Sequence, residues 1–129
     1  MILKRIITIA IVLVLLSVVS ITYAQILEDS TFDSTNGRLT AQKKVIFSFT
    51  TMVEQPYIKI DSCSLEKKIN GRWQSVGALT PPSLIEYNTD TFGVTVDYSN
   101  DIGTGTYRVG FVPNANGHTL TCYTNSRTF

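Results

Sequence analysis

The chain has 129 residues, 43% of them hydrophobic and 16% charged, and a formal charge of +1. That length suits one domain. Near-neutrality leaves no electrostatic footprint for nucleic acid, because the only basic clusters are the doublets Lys43–Lys44 and Lys67–Lys68.

The N-terminus reads as an export leader. Lys4 and Arg5 precede an uncharged apolar run from Ile6 to Val19, and Ser20–Ile21–Thr22–Tyr23–Ala24 closes it. A basic start, an apolar middle and a small-residue exit form the layout of a secretory signal, with a cut expected after Ala24. The alternative is an uncleaved anchor, since the stretch from Ile2 to Tyr23 approaches the roughly 20 residues of a spanning helix. Either way the remainder is expected to be secreted or held at the cell surface, and contact with a membrane would run only through residues 1–24. Without that leader the chain keeps nine Lys and Arg against ten Asp and Glu, a formal charge of −1.

Residues 25–42 are polar and are expected to be a lead-in, with an edge strand near Leu39. The domain proper is expected over residues 43–129. Val45, Phe47 and Phe49 alternate with Ile46, Ser48 and Thr50, a strand with one apolar face. Gln55–Pro56 is expected to break it, and Tyr57–Ile60 resumes strand character. Cys63, Leu65, Lys67 and Ile69 share a face opposite Ser64, Glu66 and Lys68. Asn70–Gly71 then predicts a hairpin into Arg72–Val76, because both central residues of a type I′ turn need positive φ.

Thr80–Pro81–Pro82–Ser83 excludes a central strand there. A short strand is expected at Leu84–Tyr87. Phe92, Val94 and Val96 alternate in another, and Tyr98–Gly105 reads as a loop. Tyr107, Val109 and Phe111 form the next strand, Pro113–Gly117 turns the chain, and Leu120, Cys122 and Thr124 close the last strand. About seven short strands with turn signals between them predict an all-β fold, an immunoglobulin-like antiparallel sandwich.

Two cysteines in an exported chain predict one disulfide, Cys63–Cys122. Such a bridge would close a loop of about sixty residues and stabilise by roughly 4 kcal/mol in the chain-entropy model.

Three segments carry a resemblance. They are Ser64–Leu65–Glu66–Lys67–Lys68–Ile69–Asn70–Gly71–Arg72–Trp73, Phe92–Gly93–Val94–Thr95–Val96–Asp97–Tyr98, and Gly103–Thr104–Gly105–Thr106–Tyr107–Arg108–Val109. In order and spacing they resemble a family of bacterial immunoglobulin-like domains found in small exported proteins. Thr104 and Ile102 stand where that family usually has Pro and Leu. The resemblance implies a sandwich in a cell-envelope or extracellular setting and no catalytic activity.

Trp73 is expected to plug the core, or else to be an exposed aromatic contact for a partner. Tyr107 is expected to bond loop backbone, Arg108 to be solvated or paired across strands, and Gly103 and Gly105 to supply positive φ. His118 is the only histidine, so a triad or a histidine-based metal site lacks its partners in the sequence. Glu86, Asp90, Asp97 and Asp101 cluster in sequence without forming a calcium-loop motif. No cofactor or metal and no enzymatic activity is expected.

The functional expectation is therefore an exported adhesion or interaction module with a protein or cell-surface partner. Contact would run through the loops Gln74–Ser83, Tyr98–Thr106 and Pro113–His118, with Trp73, Tyr98, Asn100, Asp101, Asn114, Asn116 and His118 as candidate residues. Strand addition at a sheet edge, including self-association, is a variant. A small secreted inhibitor or a purely structural envelope protein is the alternative.

Overall fold

A computed structural model describes residues Thr31–Phe129. The leader and the start of the polar lead-in lie outside the described residues. The rest is all-β: β1 (Phe32–Leu39), β2 (Lys44–Ile69), β3 (Arg72–Leu79), β4 (Ile85–Asp97), β5 (Thr106–Ala115), β6 (His118–Thr119), β7 (Cys122–Tyr123) and β8 (Arg127–Thr128). All pairings are antiparallel, within one sheet that folds over on itself.

The 26-residue β2 organises everything. Along one side it pairs first with β4, from Lys44↔Asp97 to Lys59↔Ile85, and then with β3, from Cys63↔Leu79 to Ile69↔Arg72. Along the other it pairs first with β1 and then with β5. The N-terminal half of β2 thus belongs to one layer and its C-terminal half to the other. Strands that switch layers do so at bulges, and β2 has two irregular stretches. One lies between Thr50 and Gln55, the other at Asp61, where Ile60↔Pro113 is followed by Ser62↔Val112.

These irregularities reset which residues face inward. Val45, Phe47 and Phe49 are buried at odd positions, Ile58 and Ile60 at even ones, and Cys63 and Leu65 at odd ones again. The expected break at Gln55–Pro56 is not a strand end. Exposed Pro56 sits beside the irregular stretch, where a missing N–H does least harm to the ladder.

Between the layers lie Leu39, Val45, Phe47, Phe49 and Phe92 from one side, with Leu65, Leu79, Val109 and Phe111 from the other. The Phe47 and Phe111 rings meet edge to face at 5.2 Å across the gap, while Phe49 and Phe92 stack at 4.7 Å within their layer. Gly37 on β1 leaves the space that the Phe111 ring fills, since a Cβ there would lie 2.8 Å from Phe111 Cζ.

Two of the three Asn-Gly pairs form tight turns, while Asn36–Gly37 lies within β1. Asn70 and Gly71 have φ of 53° and 77°, and Asn116 and Gly117 have 50° and 92°. The second pair joins β5 to β6 through Ala115↔His118. The turn expected over Pro113–Gly117 is therefore only its last two residues, and Pro113–Ala115 is buried strand.

The expected Cys63–Cys122 disulfide is absent; both cysteines are free. The register gives the reason. Cys63 pairs with Phe111, and Phe111 pairs with Cys122, so β5 runs between the two cysteines. Two strand spacings amount to about 9.5 Å, beyond the Cα separation of about 4.4–6.8 Å that a disulfide spans. The buried Phe111 side chain occupies the row between them.

Candidate functional site

The outer face of the second layer carries an aromatic–cation stack. Glu66 on β2 lies opposite Arg108 on β5, and Arg108 Nε and Nη2 reach Glu66 Oε1 at 2.9 and 2.8 Å. The Arg108 guanidinium lies 4.6 Å from the Trp73 ring centroid and 4.0 Å from that of Tyr123. Lys68 approaches Trp73 as well, at 5.9 Å. The guanidinium is thus held by a carboxylate and by the faces of two rings at once.

Trp73 is therefore not a core plug; it lies half-buried on the outer face. The cause is the hairpin register. A two-residue turn at Asn70–Gly71 sets Lys68↔Trp73, placing Trp73 with Lys68 and not with Leu65. Arg108 is paired across strands, as expected. Tyr107 is buried and its hydroxyl donates to the Thr104 carbonyl at 3.3 Å. Gly105 has positive φ at 137°, but Gly103 does not.

The remaining candidate residues separate into two groups. Asn100, Asp101, Asn116 and His118 are exposed. Tyr98 and Asn114 are turned into the fold, at 2% and 9% exposure. Asn114 Nδ2 donates to both Asp61 carboxylate oxygens at 3.1 and 2.9 Å, and its Oδ1 accepts from Gly117 N–H at 2.8 Å. It thereby ties the bulge to the turn. Tyr98 donates to the Thr80 carbonyl at 2.8 Å and lies against the Cys63 thiol. Burial pushes the Cys63 thiol up to about 11 and raises Tyr98 too. Of the three expected loops, Gln74–Ser83 is mostly strand β3 and Pro113–His118 mostly strands β5 and β6; Tyr98–Gly105 remains a loop.

The second candidate region is an open groove of about 450 Å³. The segment Thr80–Leu84 forms one wall, and Val94–Asp97 with Tyr98 and Asp101 forms the other. Asp97 accepts a bond from Ser99 N–H at 2.9 Å, and the bonds from Ser99 hold its carboxyl below the usual range, with Lys44 helping. Among the described residues, no three His, Cys, Asp or Glu side chains converge to hold a metal. The acidic residues clustered in sequence are spread along β4 and the loop that follows it.

Signals for this groove were partly present in the sequence. Pro81–Pro82 marks a segment that leaves the sheet, and the alternation of Phe92–Val96 marks β4. What alternation does not reveal is that, among the described residues, β4 pairs on one side only. No family model matches the chain, and no curated protein matches it.

Proposed function

We propose that this chain is an exported, non-enzymatic binding module of the cell envelope, which engages a protein or cell-surface partner, or a second copy of itself, through a free sheet edge. One observation carries the reading. Among the described residues β3 and β4 each pair with β2 alone, so 8 and 13 residues of strand present one side without a strand partner there. Unpaired edge N–H and C=O groups are a template for another chain. The leader-like N-terminus supports the exported setting. The three segments that resemble exported immunoglobulin-like domains fall in order on the β2–β3 hairpin, β4, and the entry to β5. The expected protruding loops, on which inhibition would rely, are largely strand, which favours binding at an edge.

Site-specific photocrosslinking in the producing cell tests this. A photoreactive residue at Gln74 or Thr95, on the two free edges, is expected to give a discrete adduct outside the cytoplasm. The same residue at Ser48, exposed on the outer face of the first layer between two paired strands, is expected to give none. Cytoplasmic retention of the protein, or no adduct from either edge, would refute the proposal.

A further inference from the structure

The free edges differ in how they are protected. β5 is covered by β6, β7 and β8. On β1, the outward groups of Leu39 are capped by a side chain: Asn125 Oδ1 accepts from Leu39 N–H at 2.8 Å, and Asn125 Nδ2 donates to the Leu39 carbonyl at 3.1 Å. Arg127 Nε donates to the same carbonyl at 2.8 Å. β3 is interrupted by a bulge at Val76, where Leu65↔Gly77 is followed by Glu66↔Ser75. Bulges and caps are the usual protections of an edge. Along Thr91–Asp97, β4 has neither: its register with β2 is continuous and it contains no Pro or Lys.

The hydrogen-bond alternation identifies the groups that face outward. Thr40 N–H donates to the Lys44 carbonyl, toward β1, and Tyr98 N–H to the Lys43 carbonyl, toward β4. Antiparallel ladders alternate residue by residue. Phe92, Val94 and Val96 therefore bond β2, and Gly93, Thr95 and Asp97 present their N–H and C=O to the free side. Four consecutive residues, Val94–Asp97, line the groove, which consequently follows this edge.

The charged side chains that the β3–β4 segment contributes to this flank have one sign. Between Arg72 and Arg108 the sequence contains no Lys or Arg, while it contains Glu86, Asp90, Asp97 and Asp101. Asp97 and Asp101 line the groove itself. Lys44 lies directly across from Asp97 on β2.

We infer that the β4 edge from Gly93 to Asp97 receives an extended, basic polypeptide segment, added as an antiparallel or parallel strand in the groove against Thr80–Leu84. The inference rests on the edge-binding reading above and specifies its site and partner. Backbone bonds to Gly93, Thr95 and Asp97 supply the affinity. Alternate side chains of the guest supply the selectivity: one set is apolar, against Pro82, Leu84 and Val94, and the other is Lys or Arg, toward Asp97 and Asp101. Such a guest complements a flank that repels acidic segments.

The test uses the purified protein and two short synthetic peptides, one alternating Lys with Val and the other Glu with Val. Backbone amide NMR should show the Lys peptide shifting Gly93, Thr95 and Asp97, and the Glu peptide shifting none of them. Thr95→Pro removes one outward N–H from an edge position that tolerates proline, and it should weaken the Lys peptide about tenfold. A second variant, Asp97→Lys with Asp101→Lys, changes only exposed side chains. It should weaken the Lys peptide by a similar factor at low salt, and the difference should shrink as salt is raised. Equal binding of both peptides, shifts confined to other strands, or a β4-mediated homodimer without peptide would each overturn the inference. Adducts in the cell from Gln74 but not Thr95 would also overturn it, while leaving the broader binding proposal standing.

Discussion

Gly37→Ala tests how the two layers meet. Gly37 lies on β1 and Phe111 on β5, which are not hydrogen-bonded neighbours, so their contact exists only because the layers close face to face. A Cβ at Gly37 would lie 2.8 Å from Phe111 Cζ and 3.1 Å from Thr124 Cγ2, and closer still to Phe111 Cε1. The Phe111 ring is 1% exposed and is held edge to face against Phe47, so it has nowhere to retreat. Overpacking of this kind costs about 1–3 kcal/mol. Strand propensity acts in the opposite direction, favouring Ala over Gly by roughly 0.5–1 kcal/mol. A contact this short, on a ring that cannot move away, lies at the upper end of that range, so the net expectation is a loss of about 2 kcal/mol, or a Tm lower by on the order of 10 °C for a domain this size. Phe111→Leu alone should cost about 1–2 kcal/mol through the volume it removes. It also vacates the space that an alanine methyl would enter, so the double variant should be more stable than additivity requires by about 1 kcal/mol. Urea unfolding of the four proteins measures the cycle. A neutral or stabilising Gly37→Ala, or strict additivity with Phe111→Leu, would refute the face-to-face packing of β1 on β5.

The free thiols yield two further predictions and the outer-face stack a third. Intact-mass measurement of the folded protein should be unchanged by reductant, with half-buried Cys122 alkylated first and buried Cys63 only on unfolding; an intramolecular disulfide would refute the register around β5. Because burial raises the Cys63 thiol from 9.0 to about 11, the unfolded chain ionises first. The contribution of Cys63 is therefore complete below pH 9 and is lost as pH rises toward about 11. The urea midpoint should fall across that window, and less steeply for Cys63→Ser; an equal slope would show that the thiol is not buried in the folded protein. Arg108→Ala removes the guanidinium from between Trp73 and Tyr123 and leaves Glu66 unpaired, at a cost of about 1–2 kcal/mol. Trp73 is the only tryptophan, so its fluorescence reports the change directly. An unaltered emission spectrum with unaltered stability would refute the stack.

Much of the architecture is legible in the residues. Val45–Phe49, Phe92–Val96 and Tyr107–Phe111 alternate because one face of each strand meets the core, and two of the three Asn-Gly pairs locate hairpin turns, the third lying inside β1. The position of Trp73 was also legible: a two-residue turn fixes Lys68 opposite Trp73, and Lys68 is on the polar face. The continuity of β2 was not. A bulge keeps a strand in its sheet while inverting its alternation, so Thr51–Glu54 and Asp61 look like ends when read by period alone. The cysteine pairing failed for a related reason. Alternation correctly assigns Cys63 to an inward face, but whether it neighbours Cys122 depends on which strand lies between, and that is a property of long-range order.

The buried thiol and the open groove are linked by Tyr98. Its ring is in the core, its hydroxyl lies against Cys63, and it donates to the Thr80 carbonyl at the start of the groove's far wall. Its own N–H is bonded to Lys43 at the end of β4, and its carbonyl accepts from the N–H groups of Asp101 and Ile102. One residue thus fastens both walls to the same point of the core. The far wall continues through Pro81–Pro82, whose fixed φ leaves little freedom to lose. A groove held in this way stays open without a guest. Adding a strand to β4 then costs the ordering of the guest and little reordering of the host, which is the condition under which a few backbone bonds and two carboxylates suffice for recognition.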